Sequence, residues 1–144
     1  MKFLVLSRTK AKEFSYKENT VPYIMISITD ITLENVAFNR DEQLKALLRL
    51  KFDDTDVQCA NAISKDDAKR IVDFVEKWKE IVELIVVHCE AGVSHSAGVC
   101  AALMKWLNGD DTPIFGNAYY KPNMRCYRVV LNELMMRDEK AENL

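Results

Sequence analysis

One stretch in the second half of the chain decides the fold class. It reads Leu84-Ile-Val-Val-His88-Cys89-Glu-Ala-Gly92-Val-Ser94-His-Ser-Ala-Gly-Val99. The first four residues form an unbroken apolar and largely β-branched run that ends at His88, which is typical of a strand covered on both faces. The residues that follow predict a tight turn around Gly92 and a helix that begins near Ser94. A buried strand that leads through a short turn into a helix indicates an α/β domain.

Strand-like and helix-like segments alternate around this stretch. Short apolar runs predict further strands at residues 3–7, 23–29 and 47–52. Periodic apolar stripes and start signals predict helices at residues 64–79, 94–107 and 123–136, with a shorter helix at 9–16. Residues 31–39 are predicted to form a loop, and the residues from Arg137 onward a frayed, charged tail. We therefore predict an α/β fold with a small, mainly parallel sheet flanked by helices. The direction of the first strand is open at this stage, and an α+β fold with an antiparallel edge strand is the alternative.

Length and composition narrow the class of protein. The 144 residues suit one domain spanning 1–144, and 49% hydrophobic with 29% charged residues is ordinary globular composition. Twenty basic and 22 acidic residues give a net charge of −2, which provides no electrostatic case for a nucleic-acid partner. Four scattered cysteines form no disulfide scaffold, and the apolar runs fall far short of the roughly 18 residues of a membrane span. These features predict a soluble, cytoplasmic protein without a membrane partner.

The turn after residue 88 carries the chemistry. A tight turn before a helix directs several backbone N–H groups and the positive end of the helix dipole at one point. Such a nest binds a tetrahedral oxyanion. Cys89 lies at its base, where the same field is expected to lower the pKa of the thiol. A thiolate below a phosphate site is a nucleophile for phosphoryl transfer.

Residues 88–96 resemble the signature loop of the cysteine-dependent protein tyrosine and dual-specificity phosphatases. That loop consists of a His-Cys pair, five residues that include a glycine, an arginine, and a serine or threonine. Eight of the nine positions fit here, and the arginine position holds His95. The rest of the chain is more loosely similar to the small members of this family, above all to small bacterial ones. The resemblance implies a phosphatase-like domain that needs no metal and no organic cofactor.

The resemblance also assigns roles around the loop. It implies that Cys89 forms a thiophosphate intermediate, that His88 supports the loop and tunes the thiolate, and that the hydroxyl of Ser96 assists the departure of the sulfur. The phosphate oxygens would be held by the main-chain N–H groups of Glu90, Ala91, Gly92, Val93, Ser94 and His95.

The family also uses an aspartic general acid on a loop that precedes the cysteine. Three aspartates follow the candidate strand at 47–52, and any one of them could instead belong to a solvated turn. Asp54 is the first choice because an Asp-Thr pair after an apolar strand resembles the acid loop best, followed by Asp56 and then Asp53.

The histidine at the arginine position leaves the function open. Arginine grips two phosphate oxygens in a bidentate manner, whereas histidine offers one donor per nitrogen and is charged only part of the time near neutral pH. Loss of such a donor costs on the order of 10² to 10³ in rate. His95 therefore indicates an impaired phosphatase, a phosphate-binding pseudophosphatase, or a mutated copy of an active parent, with a phosphorylated protein or a small phosphomonoester as ligand.

Other interpretations compete with these. Cys89 could be a buried structural cysteine, or the nucleophile of a rhodanese-like sulfur transfer, which the position of Ser96 fits less well. A zinc site that combines His88 and His95 with Cys89 and Cys100 matches no usual ligand spacing. Arg8 could replace the absent arginine if the first strand runs parallel to the strand at 84–88.

Overall fold

A computed structural model describes residues 1–143. Its elements, in chain order, are β1 (Lys2–Leu6), α1 (Arg8–Tyr16), β2 (Tyr23–Thr29), β3 (Leu44–Lys51), α2 (Lys65–Trp78), β4 (Leu84–His88), α3 (His95–Asn108), α4 (Thr112–Phe115) and α5 (Met124–Glu142). None of these helices is long and apolar enough to cross a bilayer.

The four strands form one sheet in the order β1-β4-β2-β3, and every neighbouring pair is parallel. The predicted α/β fold with a parallel sheet is thus confirmed, and the alternative with an antiparallel edge strand is wrong. Because all strands run the same way, the loops that follow them meet at one edge of the sheet, which is the usual ligand position in such folds.

Helices cover both faces of this sheet. The face with Ile24, Ile26 and Ile85 packs against α2, α3 and α5 in the larger hydrophobic core. The opposite face, with Met25 and Val86, packs against α1 and the segment at residues 31–39. Burial on both faces explains why the sequences of β2 and β4 consist mostly of consecutive apolar residues.

Local signals account for several helix ends. At the start of α2, the backbone N–H of Asp67 donates to Ser64 Oγ at 3.1 Å, and the N–H of Ser64 donates to Asp67 Oδ2 at 2.9 Å. This reciprocal pair is a capping box, which satisfies two N–H groups that the helix itself leaves unpaired. Gly109 ends α3 in the left-handed region, with a φ of 70°.

The last helix is longer than predicted. The tail from Arg137 was expected to fray, yet α5 continues to Glu142. Arg137 Nε donates to Glu133 one turn earlier at 3.0 Å, and its Nη2 donates to Asp73 of α2 at 2.7 Å. The pair with Asp73 ties α5 to α2, while the pair with Glu133 lies within α5, and both offset the tendency of the end to unwind. The short helix α4 was not predicted, and β3 begins at Leu44, earlier than the predicted residue 47.

Candidate active site

The turn between β4 and α3, residues 89–94, is called here the cysteine loop. Gly92 has a φ of +74°, and a Cβ added there would lie 2.6 Å from the backbone of Leu6 and Ser7. Both the conformation and the close approach therefore require glycine. The end of β1 also binds the loop directly, because Leu6 O accepts from the Cys89 N–H at 3.3 Å and Glu90 O accepts from the Arg8 N–H at 3.1 Å. The first strand thus helps to shape the loop.

Cys89 is 2% exposed at the base of this loop. Its sulfur accepts a hydrogen bond from the Gly92 N–H at 3.3 Å and lies 3.0 Å from Ser96 Oγ. Burial alone would raise the pKa of the thiol, but the nearby ring of His95 and hydrogen bonding by Ser96 and Gly92 outweigh burial and lower the pKa to about 7. A large fraction of Cys89 is therefore thiolate at neutral pH, which is the nucleophilic form.

His88 supports the loop from below as a neutral ring. Its Nδ1 lies 3.1 Å from the carbonyl oxygen of Cys89, and its Nε2 lies 2.6 Å from Ser27 Oγ on β2. Burial lowers the pKa of His88 to about 4, so one ring nitrogen carries a proton at pH 7. Because a carbonyl oxygen can only accept, Nδ1–H is the donor to Cys89, and Nε2 accepts from the Ser27 hydroxyl. This chain of bonds fixes the cysteine to the centre of the sheet.

The loop after β3, residues 53–62, is called here the acid loop, and it brings Asp54 to the rim of the cysteine loop. Asp54 Oδ1 accepts from Ser94 Oγ at 2.8 Å and from Asn123 Nδ2 at 2.8 Å. Asp53 instead bonds to the Ile31 N–H at 3.1 Å and makes no contact of this kind with the cysteine loop within residues 1–143. Asp56 is exposed and has no side-chain hydrogen bond to the described residues. The structure thus places Asp54, of the three aspartates, against the cysteine loop.

Asn123 joins three parts of the site, whereas the sequence around it predicts mainly a turn into the last helix. As the N-cap of α5 it accepts from the Cys126 N–H at 3.0 Å, while its own N–H donates to Ser94 O at 3.0 Å. Its Nδ2 also donates to Thr55 O at 3.0 Å, besides Asp54. The sequence signal for the cap was present, because Asn123 follows a proline and precedes a helix. Its contact with an acid loop 69 residues away in sequence was not readable from that signal.

His95 opens α3 and points into the protein, with 3% exposure. Its ring packs edge-on against Phe52, with centroids 5.3 Å apart, and its Nε2 lies 3.7 Å from Asp30 Oδ1. Burial alone would lower the pKa of His95. The Cys89 sulfur and the carboxylates of Asp54 and Asp30 act in the opposite direction, and the net effect is a raised pKa. Asp30, directly after β2, is a second residue near the site that the sequence analysis did not single out.

Arg8 lies at the same edge as the cysteine loop, as expected for a parallel β1. Its Nη2 donates to the Glu34 carbonyl oxygen at 2.6 Å, and its Nη1 is buried. The guanidinium is therefore engaged with the segment at residues 31–39, and its positive charge contributes to the low pKa of His88. Within residues 1–143, no three His, Cys, Asp or Glu side chains are placed to hold a metal ion together.

Comparison with protein-family models gives no match, and comparison with curated proteins gives none either. Solved structures do match. Human DUSP28 has a TM-score of 0.65 at 14% identity, covering 95% of this chain and 94% of its own. PTPMT1 in complex with PI(5)P has a TM-score of 0.60 at 16% identity, covering 97% and 94%. The human tyrosine phosphatase-like serine/threonine/tyrosine-interacting protein has a TM-score of 0.56 at 19% identity, covering 81% and 78%.

These likenesses extend over most of each chain, although the identities are low. The protein therefore has the fold of the dual-specificity and protein tyrosine phosphatases, as the residues of the cysteine loop predicted.

Proposed function

We propose that this protein is a cysteine-dependent phosphomonoester phosphatase of the protein tyrosine or dual-specificity type. The observation that carries the proposal is the hydrogen bond that Ser94 Oγ donates to Asp54 Oδ1, which brings a carboxyl group to the loop around a low-pKa Cys89. Phosphoryl transfer to a side chain requires a nucleophile, N–H donors and a proton donor around one point, and these two features support such an arrangement.

In the first step, the Cys89 thiolate attacks phosphorus and forms an S–P bond while the bond to the ester oxygen breaks. The backbone N–H groups of residues 90–95 hold the phosphate oxygens. Asp54 protonates the leaving oxygen. Because Asp54 Oδ1 already accepts two hydrogen bonds, the proton is carried on Oδ2.

In the second step, water attacks the phosphorus of the cysteinyl phosphate and Asp54, now ionised, takes a proton from that water. The S–P bond breaks and inorganic phosphate leaves. The Ser96 hydroxyl, 3.0 Å from the sulfur, donates to the departing thiolate and lowers its charge density. The sum of both steps is hydrolysis of the ester, with no cofactor.

His95 limits this activity, because it supplies one cationic donor where arginine would supply two. We therefore propose slow turnover of a phosphorylated protein or a small phosphomonoester. The same replacement favours a second candidate, a pseudophosphatase that holds a phosphorylated ligand without cleaving it. The four cysteines are unpaired, which suits a reducing compartment such as the cytoplasm.

The test is to trap the intermediate. The Ser96→Ala variant is mixed with p-nitrophenyl phosphate, denatured rapidly and analysed by mass spectrometry. Since the variant lacks the donor to the departing sulfur, a phosphate adduct on Cys89 is expected to accumulate. Cys89→Ser should give no adduct, and Cys59→Ser, which removes an exposed thiol, should leave it unchanged. If no adduct and no phosphate release appear while phosphate still protects Cys89 from alkylation, the pseudophosphatase is the correct function.

A further inference from the structure

Two buried polar atoms face each other beside the cysteine loop. His95 Nε2 and Asp30 Oδ1 are 3.7 Å apart, and neither has a hydrogen-bond partner in the described part of the chain. Buried polar atoms are normally paired, because an unpaired one loses its hydration without compensation. Two such atoms at this distance are accounted for if one carries a positive and the other a negative charge.

The position of Asp30 follows from the sheet. β2 lies next to β4, so the residue after β2 reaches the same edge as the cysteine loop. The adjacent Ile31 N–H donates to Asp53 Oδ1, which ties this backbone to the acid loop. The backbone next to Asp30 is thus tied to the acid loop, and the place of Asp30 beside His95 does not depend on a long flexible side chain.

The charged groups that face His95 come from three different elements. They are Cys89 on the cysteine loop, Asp54 on the acid loop and Asp30 after β2, and all three bear negative charge when ionised. The aromatic neighbour, Phe52, presents no titratable group. None of these four neighbours of the His95 ring carries a positive charge. The surroundings therefore favour the imidazolium form over the neutral ring.

We propose that Asp30 is a positioning residue for His95: its carboxylate keeps the ring protonated and orients it, so that a histidine serves as the cation of the cysteine loop. A catalytic effect of this charge rests on the proposed phosphatase function. An arginine would be charged at every physiological pH, whereas this pair makes the charge of the phosphate site titratable. The site binds an oxyanion more strongly when His95 carries its proton, and the imidazolium stabilises the Cys89 thiolate beside it.

The test is a double-mutant cycle on the reactivity of Cys89, which requires no turnover. Iodoacetamide alkylation is followed by mass spectrometry at pH 6 in a Cys59→Ser background, so that the exposed thiol does not interfere. Cys100 and Cys126 are buried, and burial raises the pKa of both thiols. Asp30→Asn is expected to slow alkylation about threefold, because Asp30 is one of three anions near the ring and solvent screens the charge of its side chain, which is 35% exposed.

The second arm of the cycle shows whether His95 transmits the effect. In a His95→Gln background, Asp30→Asn should change the rate of Cys89 alkylation by less than twofold. Asp56→Asn, which removes an exposed carboxylate of the acid loop, is the matched control and should have no effect in either background. An equal loss from Asp30→Asn in both backgrounds would overturn the proposal, because the carboxylate would then act without His95.

NMR titration of His95 in the unaltered protein keeps the proposal open to refutation even if Asp30→Asn fails to fold. The proposal requires an imidazole midpoint above 6.5, and a midpoint at or below that value overturns it. Protection of Cys89 by inorganic phosphate should be stronger at pH 6 than at pH 8. If the double-mutant cycle gives the expected rates but aryl phosphates are not cleaved, the proposal that Asp30 positions His95 stands. In that case only the proposed phosphatase activity is refuted.

Discussion

Asn123→Asp isolates the contribution of the acid loop. The substitution replaces Nδ2, which donates to Asp54 Oδ1 at 2.8 Å and to Thr55 O at 3.0 Å, by a carboxylate oxygen. The other side-chain oxygen still accepts from the Cys126 N–H, and aspartate caps a helix about as well as asparagine. The start of α5 is therefore retained, while two carboxylates are forced together at the rim of the site.

The cost follows from these two contacts. A hydrogen bond to a charged group contributes about 1.5 to 3 kcal/mol and a neutral one about 0.5 to 1.5 kcal/mol. Their loss lowers the free energy that holds the acid loop in place by about 2 to 4.5 kcal/mol, before any repulsion. The equilibrium constant for holding Asp54 at the rim should fall at least about 30-fold, and the free energy of unfolding should fall by no more than the energy of the two contacts.

Two leaving groups make the assay specific for proton donation. Phenyl phosphate needs a proton on its departing oxygen, whereas p-nitrophenolate is stable enough to leave with little help. The turnover of phenyl phosphate should fall about 10²-fold, the turnover of p-nitrophenyl phosphate much less, and Asp54→Asn should show the same contrast. Asn132→Asp, at an exposed position of α5, is the control and should leave both rates unchanged. Equal losses for the two substrates would refute the role of Asn123 in positioning a general acid.

The remaining predictions address the cysteine loop. His95→Arg should raise the turnover of an aryl phosphate by about 10²-fold and remove the pH dependence that His95 imposes. Cys89→Ser should be inactive with either His95 or Arg at position 95. An arginine variant that folds but turns over no faster would contradict the assigned role of position 95. The alkylation rate of Cys89 should rise with pH through a midpoint near 7, and a midpoint at the ~8.5 of free cysteine would mean that the loop does not stabilise the thiolate. Gly92→Ala should lower the free energy of unfolding by more than Gly109→Ala. Both glycines have positive φ, so each should lose about 1 to 2 kcal/mol to strain, but a Cβ overlaps the backbone only at Gly92.

The fold and the centre of the site were predictable because their signals are local. Residues 84–96 encode strand, turn and helix in one continuous run, and a phosphate loop is built mainly from such a run. The capping residues Ser64 and Asp67 are likewise three positions apart, so the start of α2 follows from the order of residues alone.

The residues that were not predicted act through contacts between distant segments. In the sequence, Asp30 looks like the residue that ends a strand and Asn123 like the residue that begins a helix. The structure gives each residue that position. Their additional roles arise because parallel strands bring separate loops to one edge of the sheet. The extension of α5 beyond Arg137 has the same origin, since Asp73 belongs to another helix.

The hydrogen bonds between the end of β1 and the cysteine loop have a consequence for the order of events during synthesis. β1 is made first, but the sheet neighbour that it needs is β4, so this edge of the sheet cannot close until most of the chain has left the ribosome. Such a non-local pairing carries a loop-closure entropy that local turns do not. The Cys89 N–H donates to Leu6 O and the Arg8 N–H donates to Glu90 O, so the cysteine loop gains these two hydrogen bonds only when β1 takes its place in the sheet. The support of the loop by β1 is therefore one of the last features of the site to form.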